Sequence, residues 1–371
     1  MPRSLPVFGR WAFAVCLAAG FARPATAESW DALVQAARQE GKVELVLSGQ
    51  VPQRLRVAMP EFEKKYGVRV NFQTGGGSAH ISRLLAERRL NRYTLDVWLG
   101  GATGAMASLL PIGAALPMAD MLVDPQVVDP SLWFRGKHHY IDPEQRYIFA
   151  WGAAPNHNIA YNTNLVNPNE IRSYADLLDP KWKGKIVSWS PGQGAGATII
   201  PMFLNPKIGE EWFRRWAKEM DVTIVADARQ GAEWVALGRF PIGMFGLNTQ
   251  AESLKDQGFP IKDYLPHPMA EGELLSVSAA NIMAMYKAPN PNAAKLFINW
   301  ALSREGQALL IKAAEKTDSL RLDVPNDVLE PQYRIDPKVD YLVTFSNPDY
   351  AARQDEVLAK LKSIMREAGY K

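Results

Sequence analysis

The sequence predicts an α/β protein of two lobes, each built on a mostly parallel sheet flanked by helices. Three observations carry that class. The apolar period switches repeatedly between strand-like and helix-like spacing. The strand-like runs end in short loops of glycine, serine and threonine that lead into the next helix. The length suits two domains, and no Pro/Ser/Gly-rich tether separates them, so the lobes are expected to be joined by strand-like crossovers near Ala154 to Tyr161 and Pro268 to Val277.

The elements follow in order. Ser29 caps a first helix in which Trp30, Leu33, Val34 and Ala37 fall on one face, and Gly41 ends it. A strand at Val43 to Leu47 leads to a helix with Leu55, Met59, Phe62 and Tyr66 on one face, closed by Gly67. A strand at Val68 to Phe72, a helix carrying Ile81, Leu84 and Leu85, and a strand at Leu95 to Leu99 complete the first set. Past Tyr147 to Ala153 and Asn158 to Asn162 comes a second set, with strands at Lys185 to Trp189, Val222 to Val225 and Phe240 to Phe245. Leu275 to Tyr286 reads as one long apolar strand. Helices at Pro291 to Ser303 and Glu305 to Ala314 and an amphipathic tail from Gln354 to Ala368 end the chain.

Ahead of the first helix, Arg3 and Arg10 precede an apolar run from Trp11 to Ala22, and Ala25-Thr26-Ala27 offers small residues at cleavage spacing. This is the pattern of a secretory signal over residues 1–27, and the run falls short of the roughly 20 residues that span a bilayer. Cys16 lies in that run without a small residue before it, so a lipid anchor is not expected. Cleavage after Ala27 removes the only cysteine, and with it disulfide and thiol chemistry. The expected location is the periplasm.

Composition is that of a globular protein, 47% hydrophobic and 22% charged. The formal charge of +3 resides in Arg3, Arg10 and Arg23, all ahead of the cleavage point. A nucleic-acid binder would keep a basic stripe, whereas Arg88-Arg89 and Arg214-Arg215 are isolated pairs on helix faces.

Ligands of open α/β sheets collect outside the carboxyl ends of strands. Four loops fall there: one with Ser48 and Gln50, one with Thr74, Gly75, Gly76 and Ser78, one with Gly101 and Ala102, and one with Gln193, Gly194, Gly196, Ala197 and Thr198. Glycine lets backbone approach a ligand, and helix starts offer free N–H donors that favour anions. Each loop alone is also an ordinary strand-to-helix turn. Asp227-Ala228-Arg229-Gln230-Gly231 lies just past a strand end, where the Arg229 guanidinium is expected to oppose the helix starting near Gly196 and clamp an anion. The competing reading pairs Arg229 with Asp227 or Glu233 at the surface.

Catalytic and cofactor motifs are absent from the sequence. Gly75-Gly76-Gly77 lacks the spacing of a dinucleotide fingerprint, no phosphate-loop lysine motif occurs, and no G-x-S-x-G surrounds Ser48, Ser78 or Ser190. Of the five histidines only His138-His139 with Asp142 hints at a metal, and adjacent residues of an extended chain point apart. Neither a cofactor, a bound metal nor a catalytic residue is expected.

Four segments resemble the extracellular solute-binding proteins of ABC transporters typified by ferric-ion-binding proteins: Ala160 to Val166, Ser173 to Ile186, Leu237 to Gly243 and Ala288 to Trp300. The resemblance implies a two-lobed periplasmic-binding-protein fold that closes on its ligand by hinge motion and docks on permease subunits in the inner membrane. Lobe 1 is expected over residues 28–155 with a return over residues 275–371 that includes the C-terminal helices, and lobe 2 over residues 156–274. Tyr161 falls in the first matching segment and is a candidate ligand contact. Ferric-binding members carry a tyrosine pair after the strand matching Phe240 to Phe245, where this chain has Gly246-Leu247-Asn248-Thr249-Gln250 and no tyrosine until Tyr264. Asn248 and Thr249 are the candidates there. The expected ligand is a small polar, anionic solute, captured by a monomer that binds no nucleic acid. A ferric-iron or other metal receptor is the alternative, ahead of a periplasmic enzyme or sensor module.

Overall fold

The computed structural model describes residues 29–49, 53–73, 76–156, 158–191, 196–277, 279–343, 345, 347, 350 and 352–370, with backbone alone for residues 196–198. The segment expected to be a signal, residues 1–27, lies outside the described residues, as do Gln50, Thr74, Gly75, Gln193 and Gly194.

Helix α1 (Trp30–Glu40) begins where Ser29 accepts the Ala32 N–H and ends at Gly41 in a left-handed conformation. Strand β1 (Lys42–Ser48) pairs in parallel with β2 (Arg69–Gln73) and β3 (Val97–Gly100). Between them lie α2 (Met59–Tyr66) and α3 (Gly77–Arg89), and α4 (Thr103–Leu109) follows β3. The first sheet is completed by β4 (Phe149–Ala150) and β12 (Asn281–Ala284), in the order β2-β1-β3-β12-β4. Its side chains alternate between two cores: Val43, Leu45 and Leu47 face the core containing Phe62, Phe297 and Trp300, while Val46 and Trp98 face the one containing Leu84 and Met283. Burial on both faces is why β1 reads as a near-continuous apolar run.

The second sheet has the order β10-β6-β9-β7-β8. Strands β7 (Ile186–Trp189), β8 (Thr223–Val225) and β9 (Ile242–Met244) run parallel, with helices α5 (Gly196–Leu204), α6 (Gly209–Glu219), α7 (Ala228–Ala236) and α8 (Asn248–Asp256) around them. Strand β6 (Ile159–Asn162) lies antiparallel to β9, and β10 (Ile261–Lys262) antiparallel to β6. This sheet is also covered on both faces, by Trp212, Phe213 and Trp216 on one and Val235 and Leu247 on the other.

The sheets are mixed, each a parallel triplet extended by antiparallel strands. The added β12 and β6 arrive directly from connecting segments and not through a helical crossover, so nothing forces them parallel. The expected strand at Leu275 to Tyr286 is two strands: β11 (Glu273–Ser276) and β12, separated by a turn in which Ala280 N–H donates to the Val277 carbonyl. Strand β11 belongs to a third sheet, of order β13-β5-β11-β14, where β5 (Gly152–Asn156) pairs antiparallel with β11 through Ala154↔Ser276 and Asn156↔Leu274. Both expected crossovers thus lie side by side. Strands β13 (Asp318–Ser319) and β14 (Tyr341–Val343) flank them.

Near the end of the chain, α9 (Pro291–Leu302) packs on α1, and α10 (Arg304–Ala314) on the turn Leu55–Ala58. The last helix, α11 (Gln354–Glu367), packs instead on α5 and α6, with Val357, Leu361 and Ile364 buried in the second core. No helix among the described residues is long and apolar enough to cross a membrane.

Candidate functional site

At the carboxyl edge of the first triplet, Ser48 and Gly100 are paired partners at the ends of β1 and β3. The Gly101 N–H donates to the Ser48 carbonyl at 2.8 Å, and the Trp98 indole N–H donates to the Gly101 carbonyl at 3.1 Å. A methyl group on Gly77 would stand 2.9 Å from Ser48 Oγ, so Ser48, Gly77 and Gly101 form one close-packed cluster. Gly76 and Ala102 precede α3 and α4 and provide no side-chain cap to the first turn of either helix. Gly76 and Ser78 are exposed, and Ala102 is buried.

The second triplet ends in a comparable set of helix starts. The Ser190 N–H donates to the Val225 carbonyl at 3.2 Å, holding the ends of β7 and β8 together, and α5 begins at Gly196. The side chains of Ala197 and Thr198 lie outside the described residues. After β9 the chain turns sharply: Phe245 has φ 54° and Gly246 φ 78°, and α8 then starts at Asn248. A buried phenylalanine in the left-handed region is unusual. It is held by a Phe245 N–H donated to the Asn158 carbonyl at 3.0 Å and by ring contacts with Phe213 and Trp216 at 5.9 and 5.3 Å. The Asn248 amide donates to the Asp263 carbonyl at 3.0 Å, and Thr249 is exposed.

Tyr161 is buried in β6, and burial, with Tyr264 and Asp263 nearby, pushes its phenol up to about 12. The phenol is therefore a neutral hydroxyl at pH 7 in the ligand-free protein. Arg229 sits on α7 with a side chain 74% exposed, donating through Nε to Glu233 at 2.8 Å. Its guanidinium is committed to its own helix, which is the surface pairing weighed against the anion clamp, and Asp227 instead accepts the Arg229 backbone N–H.

The paired histidines do not form a metal site. His138 donates through Nε2 to the Val127 carbonyl and His139 to the Phe134 carbonyl, while Asp142 accepts the backbone N–H groups of Arg146, Tyr147 and Ile148. Burial holds His138 below its ordinary value and lowers His139 to about 4. Among the described residues no three His, Cys, Asp or Glu side chains gather as a metal would require.

Sequence reasoning missed two features. Glu252, one turn into α8, accepts the Tyr333 hydroxyl at 2.6 Å and pairs with Lys316. Lys316 lies just past α10 and two residues before β13, so this contact ties the helix starting at Asn248 to the segment packed on the third sheet. The second is Arg56, whose guanidinium lies 4.8 Å over the Phe72 ring. The alternation Gln53-Arg54-Leu55-Arg56 reads as a solvated face, and only its place just past a strand-end loop sets Arg56 apart.

Known proteins bear on this arrangement. The family model described as bacterial extracellular solute-binding protein matches residues 48–308. An uncharacterized protein of Haemophilus influenzae is 26% identical over 297 residues, covering 79% of this chain and 81% of its own. Among solved structures, a Trichodesmium protein (IdiA, FutA) in complex with iron and citrate is similar with a TM-score of 0.63 and 21% identity, covering 89% of this chain and all of that one. The periplasmic binding protein AfuA of Actinobacillus pleuropneumoniae, with fructose-6-phosphate bound, is similar with a TM-score of 0.54 and 21% identity, covering 88% and 97%.

Proposed function

The chain belongs to the bacterial extracellular solute-binding protein family, and we propose that it captures a small polar, anionic solute between two closing lobes for an ABC importer. Solute-binding proteins of this kind bind a small ligand and work with ABC permeases. The observation that carries the ligand reading is the repeated design of the two sheets: each parallel triplet ends in glycine-bearing loops that open helices, and the N–H groups at those starts suit negative charge.

We place lobe 1 over residues 28–155 with a return from residue 275, and lobe 2 over residues 156–274 together with α11, which was expected in lobe 1 but packs on α5 and α6, with the adjacent β5 and β11 as the hinge. The site would draw on Ser48, Gly76, Ser78, Gly101 and Ala102 from lobe 1, with Asn248, Thr249 and the Gly196 helix start from lobe 2. The contact of Glu252 with Lys316 and Tyr333 bridges the two beside the hinge. No catalytic step is assigned, and the receptor is read as a monomer, secreted with cleavage after Ala27. Two similar structures hold anionic organic ligands, citrate with iron in one and a sugar phosphate in the other. The ferric alternative is the weaker one here, because the loop from Gly246 to Gln250 offers no phenolate.

Native mass spectrometry of the mature protein identifies what it carries, and thermal melting with citrate, fructose 6-phosphate and ferric ion ranks the classes. An anion at about 100 times its Kd stabilises by roughly 2.7 kcal/mol. Near-stoichiometric iron without an organic anion, or stabilisation by ferric ion alone, overturns the reading. Amino-terminal sequencing beginning at Met1 overturns the cleavage.

A further inference from the structure

Arginine partners differ sharply along this chain. Arg321 holds Asp323 with its paired edge, Nε to Oδ1 at 2.9 Å and Nη2 to Oδ2 at 2.8 Å. Arg54 pairs with Glu315, Arg214 with Glu210 and Arg229 with Glu233. Arg56 has the same Nε and Nη2 edge withdrawn from solvent, yet neither atom has a hydrogen-bond partner among the described residues.

We propose that Arg56 grips the anionic group of the solute through that edge; the proposal rests on the anion reading above. Phe72, the ring beneath the guanidinium, is the penultimate residue of β2 and pairs with Leu45 of β1. The Gln53 side chain donates to the Leu47 carbonyl at 2.9 Å, folding the turn that carries Arg56 back over the end of β1. The guanidinium thus lies at the carboxyl edge of the first triplet, where the strand ends and helix starts gather.

The ring stabilises the positive charge across the guanidinium plane but offers no acceptor to the N–H groups within that plane. Buried donors left unpaired are costly, and more so on a charged group. A carboxylate or phosphate supplies two parallel charge-assisted bonds that match the fork, as Asp323 does for Arg321. An uncharged sugar supplies weaker acceptors, and a bare cation is repelled. The assigned ligand chemistry is therefore an oxyanion with two oxygens in one plane.

The test is calorimetric titration of wild type, Arg56→Ala and Arg56→Lys with citrate, fructose 6-phosphate, inorganic phosphate and uncharged fructose. Wild type should bind at least one anion and not fructose; whether citrate or a phosphate gives the heat separates carboxylate from phosphate recognition. Arg56→Ala should weaken that anion at least tenfold, and Arg56→Lys should recover only part of the loss, because it keeps the charge and not the fork. Melting curves establish that both variants fold. If wild type binds an anion and Arg56→Ala binds it equally well, with at most a lower melting temperature, Arg56 merely covers Phe72 and this proposal falls while the anion reading stands. If wild type binds none of the anions, the anion reading falls and takes the role of Arg56 with it.

Discussion

The carboxyl edges of the two parallel triplets are built from opposite materials. The first edge is shaped by missing side chains: Gly101 bonds to the Ser48 backbone, Gly77 packs against Ser48 Oγ, and Gly100 has φ 122°, a conformation that only glycine takes cheaply. The second edge is shaped by large ones, since Phe245 is forced to φ 54° and kept there by Phe213, Trp212 and Trp216. The first should resist additions and the second should resist deletions.

The largest expected effect lies at the second edge. Phe245→Ala removes a fully buried ring while leaving the strained backbone in place, so it should lower stability by about 3–5 kcal/mol. Urea denaturation reads this as a lower midpoint at constant slope. A midpoint within error of wild type would show that the turn is held by something other than the aromatic cluster. At the first edge, Gly100→Ala adds one methyl group at a left-handed position and should cost about 1–3 kcal/mol through backbone strain. A neutral Gly100→Ala would mean the two edges do not differ as described.

How far the sequence foretold these edges follows from the same contrast. Local chemistry was legible: the Ser29 and Gly41 caps and the glycine loops at strand ends all act within a few residues. Tertiary decisions were not. Leu275 to Tyr286 is predominantly apolar, and its division between two sheets breaks it after Ser276. Nothing in the sequence marks Phe245 as left-handed, because the compensation comes from α6, more than 25 residues earlier. Arg229 stood out from the sequence and Arg56 did not; the glutamate that Arg229 finds follows from helical spacing, whereas the lack of one at Arg56 depends on the fold.

A smaller effect arises where the second edge meets the segment before β13. Burial, and then the charge of Glu252, pushes the Asp263 carboxyl up to about 6, against the opposing pull of its own backbone bond, Lys255 and Lys316. Its Oδ1 is buried without a hydrogen-bond partner among the described residues. A folded value above the ordinary 3.8 means that the native protein holds this proton at higher pH than the unfolded chain, so the contribution is present in acid and lost as pH rises towards about 6. Asp263→Asn should therefore flatten stability against pH across that window and stabilise at pH 7 by on the order of 1–2 kcal/mol. Asp96, also pushed up to about 6 by burial, adds the same slope to both proteins, so the difference between the curves is the readout. Parallel curves would mean that Asp263 ionises without penalty beside Lys255 and Lys316.

The smallest effect is expected of Arg229→Ala, and it bears on how an anion would be held. The Arg229 pair with Glu233 is one helical turn long and open to water, where Coulomb attraction is weak and two side chains must be ordered to gain it. The Asp227 cap is made to the backbone N–H of residue 229 and survives the substitution. Melting temperature should stay within error of wild type, and the affinity for an anion that Arg56→Ala weakens should change less than twofold, since the Arg229 guanidinium turns to its own helix. A comparable loss of affinity in both variants would mean that Arg229 leaves Glu233 when the lobes close and that the anion is clamped from both edges at once. That outcome would erase the contrast between an edge that meets the anion with an arginine and an edge that meets it without one.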